Sequence, residues 1–244
     1  ITRNEKLNPL VPPRAPSIAD NFDAMFENSI RVHQRSDVPF GLFLSGGIDS
    51  SSILAMMTRL NENPVIAITA RFDVEDAADE SDTAKKTAKF FNAEHHVVTV
   101  TAREVFENLP AIIGACDDPT SDYAIIPSWF LAKKARDIGL KVVLSGEGGD
   151  EMMAGYGRYR RGLRPWWLGG RDQAENSLFQ DFGFPITSPP IPLPAQKNWS
   201  KLQRLQARDI NGWLVSDLLT KLDRMLMAHG LEGRTPFLDQ EFSP

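Results

Sequence analysis

Apolar residues along the chain occur in two kinds of stretch. Short, dense runs rich in branched residues are typical of strands buried on both faces of a sheet. Four such runs stand out: PFGLFL (39–44), PVIAITARF (64–72), HHVVTV (95–100) and KVVLS (141–145). Between them, apolar residues recur every three or four positions, as on one face of a helix. The alternation predicts an α/β fold, with a parallel, twisted sheet that carries helices on both faces.

The helical patterns have recognisable ends. Helical spacing covers roughly 17–35, 50–60, 79–93, 101–114, 127–139 and 200–229. Ser17 has the side chain of an N-cap, Pro127 suits a first turn, and Gly139 suits a helix end. Residues 1–16 contain four prolines and little periodicity, so we expect a linker or arm that leaves an upstream domain. We expect 17–244 to form one domain that is cut short at its C-terminal end.

Residues 162–195 interrupt the alternation with tryptophans, glycines and the stretch FPITSPPIPLPA. A proline-rich stretch can be a recognition ligand, but a surface loop within an enzyme is the favoured interpretation. Trp166 and Trp167 are expected to pack or to lie in an exposed loop, and not to stack on nucleic-acid bases.

Composition restricts the functional classes. The net charge of −5 argues against broad contact with a nucleic-acid backbone, although it permits a small anionic ligand held by backbone amides. The single cysteine, Cys116, cannot form an internal disulfide, and this favours a reducing, cytoplasmic setting. No apolar run approaches the length of a membrane span, and the first residues lack an apolar signal core.

The stretch FLSGGIDSSS (43–52) lies between the first strand and the next helix, where an open parallel sheet collects its ligands. Its glycines let backbone N–H groups approach an anion, and Ser45, Ser50 and Ser51 offer hydroxyl donors. Asp49 repels phosphate unless it holds Mg²⁺ that bridges to the phosphates. The alternative is a plain strand-to-helix turn. The stretch matches neither Walker A nor the dinucleotide fingerprint.

A second loop repeats this arrangement. In VVLSGEGGDEMMAGYGRY (142–159), a strand is followed by Ser-Gly, an acid, two glycines and Asp150. If the two strands are neighbours in the sheet, Asp49 and Asp150 face the same metal and phosphate group. We therefore favour one shared site over two unrelated turns.

Three ordered motifs carry a family resemblance. LSGGIDSS resembles the pyrophosphate-binding loop of N-type ATP pyrophosphatases. KVVLSGEGGDEMMAGY and LLTKLDRMLMAHGLEGRTPFLD (218–239) are similar to two motifs in the synthetase domain of glutamine-dependent asparagine synthetases. The resemblance runs from about Ser17 to the end, and it implies an adenine nucleotide alpha-hydrolase-like sheet with additional C-terminal helices.

The resemblance also implies a reaction. Such proteins use ATP and Mg²⁺ to adenylate a carboxylate with release of pyrophosphate, and ammonia from a glutaminase domain then forms the amide. Aspartate is the expected small-molecule substrate. The same chemistry on a sugar acid, antibiotic precursor or peptide, or a nucleotide-binding module that is inactive as this fragment, stays open. A homodimer also stays open, whereas nucleic acid and membrane are not expected as partners.

The resemblance assigns roles residue by residue. Glu147 is the catalytic candidate, which accepts a proton from the attacking nitrogen or orients it; the alternative is a glutamate that caps the next turn. Asp49 and Asp150 match metal positions. The family also supplies a lysine from a segment downstream of Pro244. The positions that match ATP contacts are Leu44, Ser45, Gly46, Gly47, Asp49, Ser50, Ile68, Ser145 and Gly146.

Some features leave the acceptor pocket undefined. MMAGY stands where the family has a Phe-Gly-Gly-Tyr-like sequence, and ITARF replaces a strand end that contains glycine. In the third motif we expect a buried ion network that docks the last helix, with direct substrate contact as the alternative; its members are Asp223, Arg224, Glu232 and Arg234. His95 and His96 lack nearby cysteines or a third spaced histidine, so a metal site there is not favoured.

Overall fold

The computed structural model describes residues 17–73, 80–117, 120, 122–169 and 199–242. The expected N-terminal arm and the whole proline-rich stretch FPITSPPIPLPA lie outside the described residues. The described helices are α1 Ile18–His33, α2 Ile48–Leu60, α3 Ser81–Phe90, α4 Ala102–Ala115, α5 Ile125–Asp137, α6 Gly149–Met153, α7 Gly157–Leu163, α8 Lys201–Asp209 and α9 Thr220–Met227. The strands are β1 Phe40–Phe43, β2 Ile66–Phe72, β3 Glu94–Val100, β4 Val142–Leu144 and β5 Glu232–Arg234. Short 3₁₀ turns cover Trp166–Leu168 and Pro236–Leu238.

The strands form one parallel sheet in the order β3-β2-β1-β4-β5. This arrangement confirms the predicted α/β fold. Alternate strand residues face opposite layers: Leu42 and Leu144 pack with α1, α2 and α3, whereas Phe43 and Val143 pack with α5 and α9. Burial on both faces explains why the strand sequences are nearly continuous apolar runs.

Helix ends follow local chemistry. Ser17 caps α1 through a capping box with Asp20, as predicted, and Thr101 caps α4 in the same way with Glu104. Pro127 lies in the first turn of α5, and Gly139 follows that helix with φ +85°. Both positions agree with the sequence signals.

The C-terminal region departs from the prediction in two ways. The stretch with helical patterning over 200–229 contains a π-helix at Ile210–Leu219 between α8 and α9. Strand β5 was not predicted, because Glu-Gly-Arg has no apolar side chain to signal a strand. It forms because Gly233 permits α9 to approach closely: a Cβ on Gly233 would lie 2.6 Å from Leu226 Cδ1.

The expected ion network in the third motif is wrong. Asp223 is exposed, and Arg224 pairs at 3.1 Å with Asp117 on the surface. Arg234 donates instead to Glu232 in its own strand and to the backbone carbonyls of His33 and Arg35. The four residues form no single network, because Asp223 and Arg224 lie on α9, whereas Glu232 and Arg234 pair with each other on β5. No helix among the described residues is long and apolar enough to cross a membrane.

Candidate nucleotide and acyl-transfer site

The two glycine loops leave the same edge of the sheet. Strands β1 and β4 are adjacent and parallel, with Leu42 opposite Leu144, so their carboxyl ends coincide. The loops also touch: a Cβ on Gly146 would lie 3.3 Å from both Asp49 Cβ and Ser50 N. The condition for a shared site, that the two strands are neighbours, is met, and both loops border one cavity.

This pocket has a volume of about 500 Å³. The two loops form one wall, and the end of β2 with the first turns of α5 forms the other. Its lining residues are Phe43, Leu44, Ser45, Gly47, Asp49, Ser50, Thr69, Ala70, Arg71, Phe72, Glu80, Pro127, Ser128, Leu131, Ser145, Gly146, Glu147, Asp150 and Leu222. The pocket thus combines apolar side chains with polar groups, both at the two loops and on the opposite wall, as ligand sites commonly do.

The first loop is closed by hydrogen bonds between its serines. The Ser45 and Ser50 hydroxyls lie 3.0 Å apart, and the Gly47 N–H donates to Ser45 Oγ at 3.1 Å. Gly46 has φ +88°, and a Cβ there would lie 3.0 Å from Ala84 N and from Glu80 O. Only glycine fits this turn, because the start of α3 lies directly behind it.

The loop opens onto the N-terminus of α2. Gly47 is the N-cap of this 13-residue helix and supplies no side-chain hydrogen bond to it. The first N–H groups of the helix therefore remain available to an external acceptor, and their dipoles favour an anion. Together with the serine hydroxyls, this end of α2 suits a phosphate group.

Two carboxylates create a local excess of negative charge. Burial, followed by the charges of Asp150 and Glu151, raises the pKa of Asp49 to about 6. Burial likewise raises the pKa of Asp150, although Arg158 opposes the shift. These carboxylates lie in surroundings that a bound cation would complement.

Two glycines allow both carboxylates to lie directly against the backbone. A Cβ on Gly149 would lie 2.5 Å from Asp49 Cγ, and a Cβ on Gly155 would overlap Asp150 Oδ1. The segment around Asp150 is itself anchored, because Tyr156 donates to buried Glu151 at 2.7 Å and Gln206 donates to the Glu151 carbonyl at 2.9 Å. The structure thus fixes where the two carboxylates lie.

The donor set fits a metal that is bound together with a phosphate ligand. Among the described residues, no three His, Cys, Asp or Glu side chains gather as a metal cluster. Two carboxylates beside a phosphate-sized loop remain, and Mg²⁺ is usually held by one or two carboxylates together with substrate phosphates.

Glu147 lies on the same pocket wall and has a partner that the sequence did not reveal. Its Oε1 is 3.7 Å from Lys221 Nζ, and the Lys221 ammonium donates to Asp122 Oδ2 at 2.8 Å. Burial raises the pKa of Glu147, whereas Lys221 opposes that shift. Glu147 therefore belongs to a charged group and does not simply cap the following turn.

Most of the predicted ATP positions line the pocket, but Gly46 and Ile68 do not. The Ile68 side chain is fully buried in the core, and its carbonyl accepts the Leu44 N–H at 2.9 Å. The neighbouring residues from Thr69 to Phe72 border the pocket instead. The Ile68 side chain therefore cannot contact an adenine in the pocket. Any such contact has to be made by the Ile68 backbone, which lies behind the residues that line the pocket.

The histidine and tryptophan pairs considered in the sequence lie outside the pocket lining. His95 Nε2 lies 2.8 Å from Thr69 Oγ1, and His96 Nε2 lies 2.9 Å from Glu94. Trp166 and Trp167 are largely exposed. Leu238 of the third motif lies directly against Gly148, which has φ +91° and precedes α6.

Sequence reasoning missed Lys221 and Asp122, and it identified the β2 end only as a departure from the family pattern at ITARF. Lys221 lies within the third motif, where a lysine between apolar helix positions was the available signal. Asp122 is 99 residues away along the chain, and only the fold brings the two together.

Comparisons with known proteins agree with this arrangement. The family model described as Asparagine synthase matches residues 21–243. A Mycobacterium tuberculosis protein is 33% identical over 91% of this chain and 41% of its own length. A Bacillus subtilis protein named Asparagine synthetase (glutamine-hydrolyzing) 1 is 30% identical over 89% of this chain and 41% of its own length. The chain thus spans about two fifths of the length of these curated relatives.

Among solved structures, an NMN synthetase from Francisella tularensis aligns with a TM-score of 0.41 and 14% identity. The alignment covers 85% of this chain and 92% of that one. The fold assignment made above depends on the observed strand order and register.

Proposed function

Because the chain belongs to the asparagine synthase family, as the match over residues 21–243 shows, we propose that its pocket binds ATP and activates a carboxylate as an acyl-adenylate. Ammonia then converts the adenylate into an amide. The observation that carries the proposal is the meeting of two glycine loops, each with an aspartate, at the ends of adjacent parallel strands.

The first loop is proposed to hold the part of ATP that leaves as pyrophosphate. The N–H groups at the start of α2 and the hydroxyls of Ser45 and Ser50 are donors for its oxygens. Ser145 and Gly146 approach from the second loop. The backbone N–H groups are fixed before the reaction, so they stabilise the charge of the leaving group without rearranging, whereas the serine hydroxyls rotate from their bonds within the loop to donate.

Asp49 and Asp150 are the proposed ligands of Mg²⁺. The metal, when bound, would neutralise charge on the leaving pyrophosphate. Gly149 and Gly155 leave room for the two carboxylates, because a side chain at either glycine would collide with them.

Glu147 is proposed to act in the second step. Ammonia attacks the acyl carbon, the new C–N bond forms, the C–O bond to AMP breaks, and the nitrogen gives up one proton. Glu147 lies on the pocket wall and, when ionised, accepts that proton. The ammonia is proposed to come from a glutaminase domain, as the resemblance implies, and the acceptor is proposed to be the side-chain carboxylate of aspartate.

The proposal is tested by carboxylate-dependent exchange of labelled pyrophosphate into ATP. The full-length protein that contains this chain is assayed with Mg²⁺ and with aspartate, sugar acids, antibiotic precursors or peptides in turn. We expect exchange with aspartate in the wild type and a loss of about 100-fold or more in Asp49→Asn. Asp37→Asn, on the exposed turn before β1, is the matched control. Exchange with another acid but not with aspartate contradicts the acceptor; no exchange with any acid contradicts the reaction.

A further inference from the structure

Lys221 is a buried cation inside the third motif. Its side chain is only 5% exposed, although lysine is among the residue types least often buried. A buried ammonium is tolerated only with opposite charges close by. Here Asp122 Oδ2 lies at 2.8 Å and Glu147 Oε1 at 3.7 Å, so two carboxylates share one cation.

The ammonium lies behind the reaction pocket. Lys221 is not among the pocket's lining residues, whereas Glu147 is. Lys221 instead borders a separate cavity of about 50 Å³, together with Thr120, Asp217 and Arg224. Lys221 can therefore influence the pocket through Glu147 without lying in it.

Asp122 fixes the ammonium in position. Its second oxygen, Oδ1, accepts the Ala124 N–H at 2.9 Å just before α5 begins. The Asp122 N–H donates to Thr120 Oγ1 at 3.1 Å, and Thr120 donates in turn to Asp217 in the π-helix at 2.8 Å. The cation is therefore held between α5, α9 and the π-helix.

We propose that Lys221 is a positioning residue for Glu147, because its ammonium keeps that carboxylate ionised and in place for the amide-forming step. Asp122 shares the same ammonium and so weakens its effect on Glu147. This inference rests on the proposed function, because it concerns the second step of that reaction. The charged groups given next to Lys221 Nζ are the carboxylates of Asp122 and Glu147.

The charges around Glu147 determine in which direction each substitution shifts its pKa. Lys221 on α9 lowers the pKa of Glu147, whereas Glu151 on α6 and Asp122 before α5 raise it, and burial raises it most. Loss of the lysine charge leaves only effects that raise the pKa. Loss of the Asp122 charge leaves the lysine with Glu147 as its nearer anionic partner, which lowers it.

The experiment compares pH profiles of the two half-reactions in the full-length protein. Pyrophosphate exchange reports the first step, and amide formation from added ammonium chloride, expressed per concentration of unprotonated ammonia, reports the second. The variants are Lys221→Met, Lys221→Arg and Asp122→Asn. Lys89→Met is the control, since Lys89 is exposed in the last turn of α3. Circular dichroism and a thermal melt establish that each variant is folded.

We expect Lys221→Met to slow amide formation about tenfold or more at pH 7, and to slow exchange by about threefold or less. The acid limb of its amide-formation profile moves to higher pH, because the charge that lowers the pKa of Glu147 is gone. Asp122→Asn, which keeps an oxygen for the Ala124 N–H, moves the same limb to lower pH. Lys221→Arg restores a limb close to that of the wild type, and Lys89→Met changes neither step.

Opposite shifts in the two variants are not expected from a general loss of packing. An unmoved limb, or shifts in the same direction, overturns the proposal. If Lys221→Met does not fold, Asp122→Asn decides the matter by the direction of its shift. A wild-type protein without carboxylate-dependent exchange contradicts the proposed function itself, and this result is distinct from an active wild type whose variants keep their pH profiles.

Discussion

Gly149→Ala tests whether the exact place of the Asp49 carboxylate matters. The new Cβ would lie 2.5 Å from Asp49 Cγ and 2.8 Å from Oδ2. Ordinary carbon contacts begin near about 3.5 Å, so the carboxylate must move by about 1 Å. A displacement of about 1 Å in a reacting site costs on the order of 100-fold in rate. We expect that loss in carboxylate-dependent pyrophosphate exchange.

The fold should tolerate this substitution. Gly149 is the first residue of α6 and does not have a positive φ, so alanine suits its backbone. Gly157→Ala is the matched control, because Gly157 is the first residue of α7 and a Cβ there would meet nothing within 4 Å. In thermal denaturation, the melting temperatures of both variants should be close to that of the wild type. A Gly149→Ala protein that is folded and exchanges pyrophosphate at the rate of the Gly157→Ala control would refute the reasoning.

Two further substitutions test the scaffold around the site, with the free energy of unfolding measured in urea. Ala154 ends α6 in the left-handed region, with φ 56° and ψ 39°. Ala154→Gly should therefore stabilise the protein by about 0.5–1 kcal/mol, because relief of strain outweighs the added freedom of the unfolded chain; an unchanged or lower stability contradicts this. Arg234→Met should cost about 1–3 kcal/mol, since it removes the donor to the His33 and Arg35 carbonyls. Arg103→Met, at a side chain that is 87% exposed, should change stability by about 0.5 kcal/mol or less. Equal losses in the two arginine variants would refute a stabilising role for the Arg234 hydrogen bonds.

The sheet and its loops could be predicted because their signals are local. Runs such as PFGLFL and KVVLS are apolar throughout because helices cover both faces of the strands they form. Glycines that follow such strands mark the sheet edge where ligands bind. The sequence could state the adjacency of β1 and β4 only as a condition for one shared site. The register of the two strands shows that the condition is met.

The parts that escaped prediction depend on distant contacts. Strand β5 has no apolar residue and forms through its backbone, with Ser145 N–H donating to Arg234 O at 2.9 Å. The pairing of Lys221 with Asp122 joins α9 to the segment before α5, and neither sequence position signals the other. The same reason explains the failed ion network: spacing within one motif did not reveal that Arg224 and Arg234 lie on different elements.

Transfer of ¹⁸O from a labelled carboxylate substrate tests the central claim, which is that this pocket joins a carboxylate to AMP. The full-length protein is incubated with ATP, Mg²⁺, ammonia and aspartate labelled in its side-chain carboxylate, and the nucleotide product is analysed by mass spectrometry. The account predicts one ¹⁸O atom in AMP and none in pyrophosphate. Label in inorganic phosphate with formation of ADP, or amide formation without label in AMP, would contradict it.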